Sequence, residues 1–354
     1  MPDSPDSPGP NAPSRNDLTI RRATPADRPA VIELCRASLG WKQGDPNEGF
    51  FEWKHDRNPF GVSPAWVAAS PEGQIVGLRV FLRWEFDSPA GAPTSRGSTT
   101  PSRSARGRIT AVRAVDTATH PDWQGKGIFT KLTLGALDEL KGDGLDVVFN
   151  TPNDQSRPGY LKMGWQTVGR VPVGVQVRSV TSAARLRGAR AAAEKWSAGA
   201  TAGVDARETL ADAVAVQRLL DRLSPVEAIH TPRTVEYLQW RYDFEPLGYR
   251  ALPLGDSLDA GLILFRVRAR GTAKELTVCD VLAPKGAKVN KAIRYLLRSA
   301  KADYAIAATG PGSLRAGFVP LNRLGPILVW REVNREGIPT LDDLAFSLGD
   351  IELF

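Results

Sequence analysis

Two glycines one residue apart, at a junction of strand and helix, constrain this chain more than any other feature. They lie in Val115–Phe129, VDTATHPDWQGKGIF. Arg113 to His120 mixes β-branched and small residues, as a strand entering a partly buried sheet does. Pro121 cannot donate to a ladder and closes the strand. Gln124, Gly125, Lys126 and Gly127 then place two residues without a Cβ where the backbone turns into a helix. Several N–H groups and the positive end of a helix dipole meet at such a turn, which suits a pyrophosphate. A glycine pair alone also fits plain helix packing, so the neighbouring residues have to decide.

Those neighbours resemble the acetyl-CoA-binding motif of the GNAT superfamily of N-acetyltransferases. That motif runs Arg or Gln, two residues, Gly, one residue, Gly or Ala, and here reads Gln124-Gly125-Lys126-Gly127-Ile128-Phe129, with Phe129 in the last small position. A second block, Asn153-Asp154-Gln155-Ser156-Arg157-Pro158-Gly159-Tyr160-Leu161-Lys162-Met163-Gly164-Trp165, is similar to the later family pattern Asn…Ser/Ala…Tyr-x-x-x-Gly-aromatic. The resemblance covers about residues 17–180, half of the 354.

Length allows two domains. With 42% hydrophobic and 24% charged residues, packed cores are expected. No run approaches eighteen apolar residues, and no basic segment followed by an apolar core opens the chain, so neither a membrane span nor a secretory signal is expected. Cys35 and Cys279 lie far apart in apolar patterns and read as buried thiols, not as a metal site or disulfide. A cytoplasmic location fits. The net charge of +7 suits an anionic cofactor but is too diffuse to indicate nucleic acid.

Residues 1–15 are Pro-, Asp- and Ser-rich and read as a disordered tail. A strand over Leu18–Arg22, a helix opened by Thr24 and Pro25, and a helix over Asn47–Asp56 follow. Ala65–Ala69 and Ile75–Phe86 read as a hairpin around Ser70-Pro71-Glu72-Gly73. Ser88–Arg108 reads as a solvated loop carrying Arg96, Arg103, Arg106 and Arg108. Phe129–Lys141 is a helix, Val147–Thr151 a central strand, Ser156–Met163 a short helix, and Trp165–Val177 the closing strand region. Strand, phosphate turn, helix and strand make a βαβ unit.

After a linker over residues 181–205, the second half repeats the first weakly. Trp53, Asp56 and Pro59 recur as Trp240, Asp243 and Pro246, each 187 residues on. Two strand-like runs follow each copy, and Leu276–Leu282, Val289–Leu297 and Tyr304–Thr309 parallel the strand, helix and strand of the first half, with Asp280 near the place of Asp116. A tandem duplication accounts for this. The expected fold is therefore α/β, in the sense of an α+β mixed sheet. It comprises two GNAT-like domains over residues 16–180 and 206–354, each a mostly antiparallel sheet flanked by helices around a central βαβ unit. Pro284-Lys285-Gly286-Ala287-Lys288-Val289 lacks the glycine spacing, so one CoA site is expected, in the first half.

The resemblance implies an N-acetyltransferase of the acyltransferase class, moving acetyl from acetyl-CoA to a primary amine of a small molecule such as an amino sugar, without metal, membrane or nucleic acid. It implies that Thr117, Ala118 and Thr119 meet the pantetheine, that Gln124, Gly125, Lys126, Gly127, Ile128 and Phe129 meet the pyrophosphate, and that Asn153 and Ser156 complete the cofactor site. Tyr160 matches the family tyrosine that donates to the leaving sulfur, and a phenol is an acid of suitable strength for a thiolate. Asp116 and His120, four apart and on one face by strand parity, are both candidates for the base, with water a third. Some multi-domain members place a terminal carboxylate in the active site, and Asp350–Phe354 is accordingly expected to dock near the cleft between the halves. Another acyl or aminoacyl transfer, or a CoA-binding sensor or scaffold without turnover, are the alternatives.

Overall fold

The structure, a computed structural model, describes residues 18–89, 107–188, 192–310, 314, 316–321 and 323–352. The first half supplies β1 (Thr19–Arg22), β2 (Ala65–Ala69), β3 (Ile75–Ser88), β4 (Gly107–Thr119), β5 (Val147–Asn150), β6 (Gln166–Arg170) and β7 (Val173–Val177). Its helices are α1 (Arg28–Leu39), α2 (Asn47–Phe51, running into a π-helical turn over Glu52–Asp56), α3 (Ile128–Gly142), α4 (Arg157–Lys162) and α5 (Val180–Gly188). The second half supplies β8 (Val204–Asp205), β9 (Arg250–Pro253), β10 (Leu262–Arg270), β11 (Ala273–Leu282), β12 (Tyr304–Ala308), β13 (Val319–Pro320) and β14 (Ile327–Glu332). Its helices are α6 (Ala206–Leu210), α7 (Ala213–Asp221), α8 (Val235–Tyr242), α9 (Val289–Ser299) and α10 (Leu348–Ile351).

These strands form two seven-stranded mixed sheets of matching order, β1-β2-β3-β4-β5-β14-β6 and β8-β9-β10-β11-β12-β7-β13. Each holds one parallel pair closed by a helical crossover, β4 with β5 through α3 and β11 with β12 through α9. The duplication read from the sequence is thus present in the topology. The closing region differs from expectation. Trp165–Val177 is two strands, and they lie in different sheets. β7 enters the second sheet beside β12, and β14 enters the first beside β5, both antiparallel. A cut at residue 180 or 206 therefore does not separate the sheets, because each half lodges its last long strand in the other.

The halves also share their largest core. Trp53, Trp84, Phe86 and Phe149 pack in one cluster with Tyr237, Trp240, Tyr242 and Cys279. At its centre the two repeat tryptophans stack at 5.7 Å, and each indole N–H donates to the other's carbonyl: Trp53 Nε1 to Trp240 O at 2.6 Å, Trp240 Nε1 to Trp53 O at 2.7 Å. The 187-residue offset in the sequence is the mark of this reciprocal contact. The other face of the first sheet packs on α3 and α4 through Ile128, Leu132, Leu140, Tyr160 and Trp165.

Residues 90–106, most of the arginine-bearing segment, lie outside the described residues, as do residues 1–17 and 353–354. Both cysteines are free and buried. Among the described residues no helix is long and apolar enough to cross a membrane, and no cluster of His, Cys, Asp and Glu could hold a metal.

Candidate active site

β4 pairs with β5 only over Ala111–Arg113. Beyond Arg113 the two parallel strands part, while β4 stays paired with β3 as far as Thr119. The edge of β4 from Ala114 to Thr119 thus faces a gap instead of a strand. Thr117 and Ala118 lie along that edge, with Ala118 buried in the shared core. Thr119 is partly engaged, since its carbonyl accepts from Ser38 Oγ at 2.9 Å.

The gap leads to the phosphate turn. Gly125 has φ 73° and Gly127 φ 75°, both in the left-handed region that favours glycine. A Cβ at either position would meet nothing within 4 Å, so the cradle is open. The ladder of α3 opens with Lys131 N–H to Gly127 O, which leaves the amides of Ile128, Phe129 and Thr130 ahead of it, as at any helix start. Lys126 lays its ammonium 4.3 Å from the Trp123 ring, and Gln124 Nε2 reaches Thr119 O at 3.5 Å. Ile128 is buried under the sheet.

Phe129, the bulky residue of the first motif, turns towards the second. Its ring meets Tyr160 edge-on at 5.3 Å. It also lies so close to Gly159 that a Cβ there would come within 2.9 Å of Phe129 Cε1. Phe129 does not wall off the glycines; it joins the two motifs. Asn153 Oδ1 accepts from both Ser156 N and Ser156 Oγ at 2.9 Å, and this small turn starts α4. Tyr160 is buried, and its Oη accepts from Arg79 Nη1 at 2.8 Å. Arg79 Nη1 also donates to Thr117 Oγ1.

Asp116 departs from strand parity. The β3–β4 register slips between Arg79 and Val80, so Val115 and Thr117 face consecutive partners and Asp116 is the extra residue of a bulge. Its φ of 41° is left-handed, which Asp tolerates better than most residues. The bulge removes the common face expected for Asp116 and His120. His120 ends the strand and caps the following turn, its Nδ1 accepting from Asp122 N–H at 3.4 Å. The Asp116 carboxylate instead accepts from Lys54 Nζ at 2.8 Å and pairs with His55 Nε2 at 2.7 Å. Burial pushes its pKa up, but Lys54 and His55 outweigh burial and hold it well below the usual carboxylate range. A carboxylate pinned in this way is a poor base. His55 is lowered, chiefly by burial, with the Asp116 bond opposing. Lys195 reaches the same region from the linker, its ammonium 4.1 to 4.7 Å from the Phe50, Trp196 and Trp41 rings and pushed down to about 8 by burial and then by Lys54.

The space between the halves is filled. Arg113 donates to Asp350 O at 2.8 Å, to Ile351 O at 2.6 Å and to Thr151 Oγ1 at 2.9 Å. Burial, reinforced by Arg241, lowers it to about 9. Asp350 pairs with Arg233 at 2.9 Å, and Glu352 with Arg266 at 2.7 Å and Arg268 at 3.2 Å. A cavity of about 20 Å³ remains between Trp53, Arg113, Trp240 and Asp350, room for one water. Among the described residues an acceptor has no room there. Larger cavities open on the second half, one of about 430 Å³ beside Cys279, Asp280 and Arg233, where β11 and β12 part in their turn.

Lys54, His55 and Arg79 were not singled out by sequence. The repeat carried a signal for the first two, since the same offset aligns them with Arg241 and Tyr242, and Tyr242 Oη donates to Asp280 as His55 bonds Asp116. Nothing local marks Arg79.

Residues 103–168 match the family model described as an acetyltransferase (GNAT) domain. Solved structures extend the likeness to most of the chain. A probable N-acyltransferase of unknown function from Enterococcus faecalis superposes with a TM-score of 0.58 at 11% identity, over 89% of this chain and 72% of that one. A GCN5-related N-acetyltransferase from Anabaena variabilis gives 0.57 at 12%, over 90% and 73%. Another from Kribbella flavida gives 0.54 at 15%, over 89% and 71%. At such identities the likeness is one of fold. No curated protein sequence matches the chain significantly. The domain match spans the phosphate turn and Tyr160, and the fold along both halves is one shared with GCN5-related N-acetyltransferases.

Proposed function

We propose that the chain transfers acetyl from acetyl-CoA to a primary amine of a small molecule, at one site in its first half. The observation that carries this reading is the left-handed glycine turn at Gly125 and Gly127, which follows the β4 edge that β5 leaves unpaired and is tied to Tyr160 through Phe129. The turn fits a diphosphate, because the amides of Ile128, Phe129 and Thr130 and the dipole of α3 supply positive potential. The edge of β4 at Thr117 offers backbone groups to a pantetheine amide. When bound, acetyl-CoA supplies the activated thioester.

Tyr160 Oη holds the proton that the departing sulfur needs. Its ring is fixed by Phe129 and Trp165, and its oxygen by Arg79. Asp116 holds the bulge together through Lys54 and His55, and the amine's proton passes to water. The second half covers the face of the first sheet opposite α3, so an acceptor enters along an edge. That favours a small amine over a lysine on a folded protein.

Release of free thiol from acetyl-CoA, followed over a panel of small amines, tests the proposal. At least one amine should support turnover, and Tyr160→Phe should lower kcat by about 10² or more at saturating acetyl-CoA. No turnover with any amine despite CoA binding would favour a sensor or scaffold. Full turnover in Tyr160→Phe would remove the acid role.

A further inference from the structure

Arg79 is a fully buried cation with no anion beside it among the described residues. Its hydrogen bonds go to two neutral hydroxyls, Tyr160 Oη at 2.8 Å and Thr117 Oγ1, both from Nη1. Nε and Nη2 are buried without an acceptor. Three rings surround the guanidinium, with centroids 4.5 Å (Phe81), 5.3 Å (Tyr160) and 5.8 Å (Phe129) from its carbon. Arg266 and Arg268 share Glu352, and partly buried Arg233 lies between Asp280 and Asp350; Arg113, buried and also without a carboxylate, at least gives both terminal nitrogens to acceptors, two of them carbonyls.

Burying an unpaired charge costs more than neighbouring aromatic faces give back. Methionine would fill the same space at less cost. A bare guanidinium in this place therefore points to a negative charge that is present only for part of the working cycle.

Its position indicates which charge. Arg79 faces Thr117 across the β3–β4 register, beside the gap. Because Tyr160 Oη accepts from Arg79, its own hydrogen is turned away from the guanidinium and is available to another acceptor. Arg79 to Tyr160 Oη to sulfur is then a chain in which each bond polarises the next.

Resting on the transferase reading above, we propose that Arg79 is the positioning residue that arms Tyr160 and holds the charge released by the leaving thiol. As the amine nitrogen bonds to the acetyl carbon, the C–S bond breaks and its electron pair stays on sulfur. Tyr160 Oη gives its proton to that sulfur, and Arg79 holds the resulting phenolate until a proton returns from solvent. The amine nitrogen loses its own proton to water.

The test compares CoA with desulfo-CoA, which carries the same phosphates without the thiol. Calorimetric affinities of both are measured from pH 6.5 to 9.5, on the full chain and on Arg79→Met and Arg79→Lys. In the parent chain, CoA should gain about tenfold over desulfo-CoA as pH rises, a shift of about one pKa unit in the bound thiol. Arg79→Met should lose that gain, with desulfo-CoA affinity changed less than about twofold, and kcat should fall while KM for acetyl-CoA holds. Retention of the gain in Arg79→Met overturns the role of Arg79 and leaves the transferase reading standing. Failure of the parent chain to bind either molecule overturns both. Should Arg79→Met not fold, Arg79→Lys decides: it should keep the thiolate preference with a lower kcat, and an unchanged kcat contradicts the proposal.

Discussion

At Asp116, backbone and charge compete. A left-handed φ is tolerated because the carboxylate is pinned by Lys54 and His55, themselves 4% and 1% exposed at the side chain. The pairing has a consequence for stability against pH. His55 has a folded pKa lowered mainly by burial, so the unfolded chain binds a proton before the folded one does. Its contribution is complete above the unfolded value of about 6.5 and is lost as pH falls below it. Asp116, held low by Lys54 and His55 against burial, acts in the same direction further down: its contribution is present above about 3.9 and lost below. Thermal unfolding should therefore show the melting temperature falling between pH 7 and 5.5, and His55→Gln should flatten that fall. An equal slope in His55→Gln would contradict the assignment. Beyond the repeat offset that aligns Lys54 and His55 with Arg241 and Tyr242, little of this was legible in the sequence, where a bulge is one residue like any other. Arg79 was hidden for the same reason, since burial of a charge is decided by strands distant in the chain.

At the scale of elements, the phosphate turn and α4 are interlocked. The family position filled by a small residue carries Phe129 here, and Gly159 makes room for its ring. Gly159→Ala should destabilise the protein, because its Cβ would sit 2.9 Å from Phe129 Cε1. Phe129→Leu, which removes that atom, should restore part of the loss. Chemical denaturation of both single variants and the double variant should give a coupling of about 0.5–3 kcal/mol. Strict additivity would mean the contact carries no strain. Elements of this kind were readable because their signals are local. Pro121 and two glycines end a strand and begin α3, and Val147–Phe149 is apolar because its strand is central. The ends of α3 and β5 fell within a residue of expectation, whereas β4 starts at Gly107, well ahead of the expected Arg113. Partners were not readable: β7 and β14 have ordinary strand sequences, and which sheet each joins depends on contacts more than a hundred residues away.

For the whole molecule, exchange of β7 and β14 makes the halves interdependent. Without β14, β5 loses one neighbour and β6 loses the strand that joins it to the sheet. Trp53 would lose the carbonyl and the ring it meets across the interface. A fragment ending at residue 180 should not fold to a cooperative, protease-resistant state, whereas the full chain should unfold in one transition. A fragment that melts cooperatively on its own would show the exchange to be incidental. The repeat was visible in sequence through Trp53 and Trp240; the exchange that it produces was not.

The duplication leaves two places where a parallel pair of strands parts, and only the first has paired glycines at its helix. Calorimetric titration of the full chain with CoA tests this most directly. One equivalent should bind, and replacement of Gly125 and Gly127 together by alanine, at φ 73° and 75°, should abolish that binding while the chain stays folded. Two equivalents, or one that survives the double replacement, would contradict a single site built on that turn.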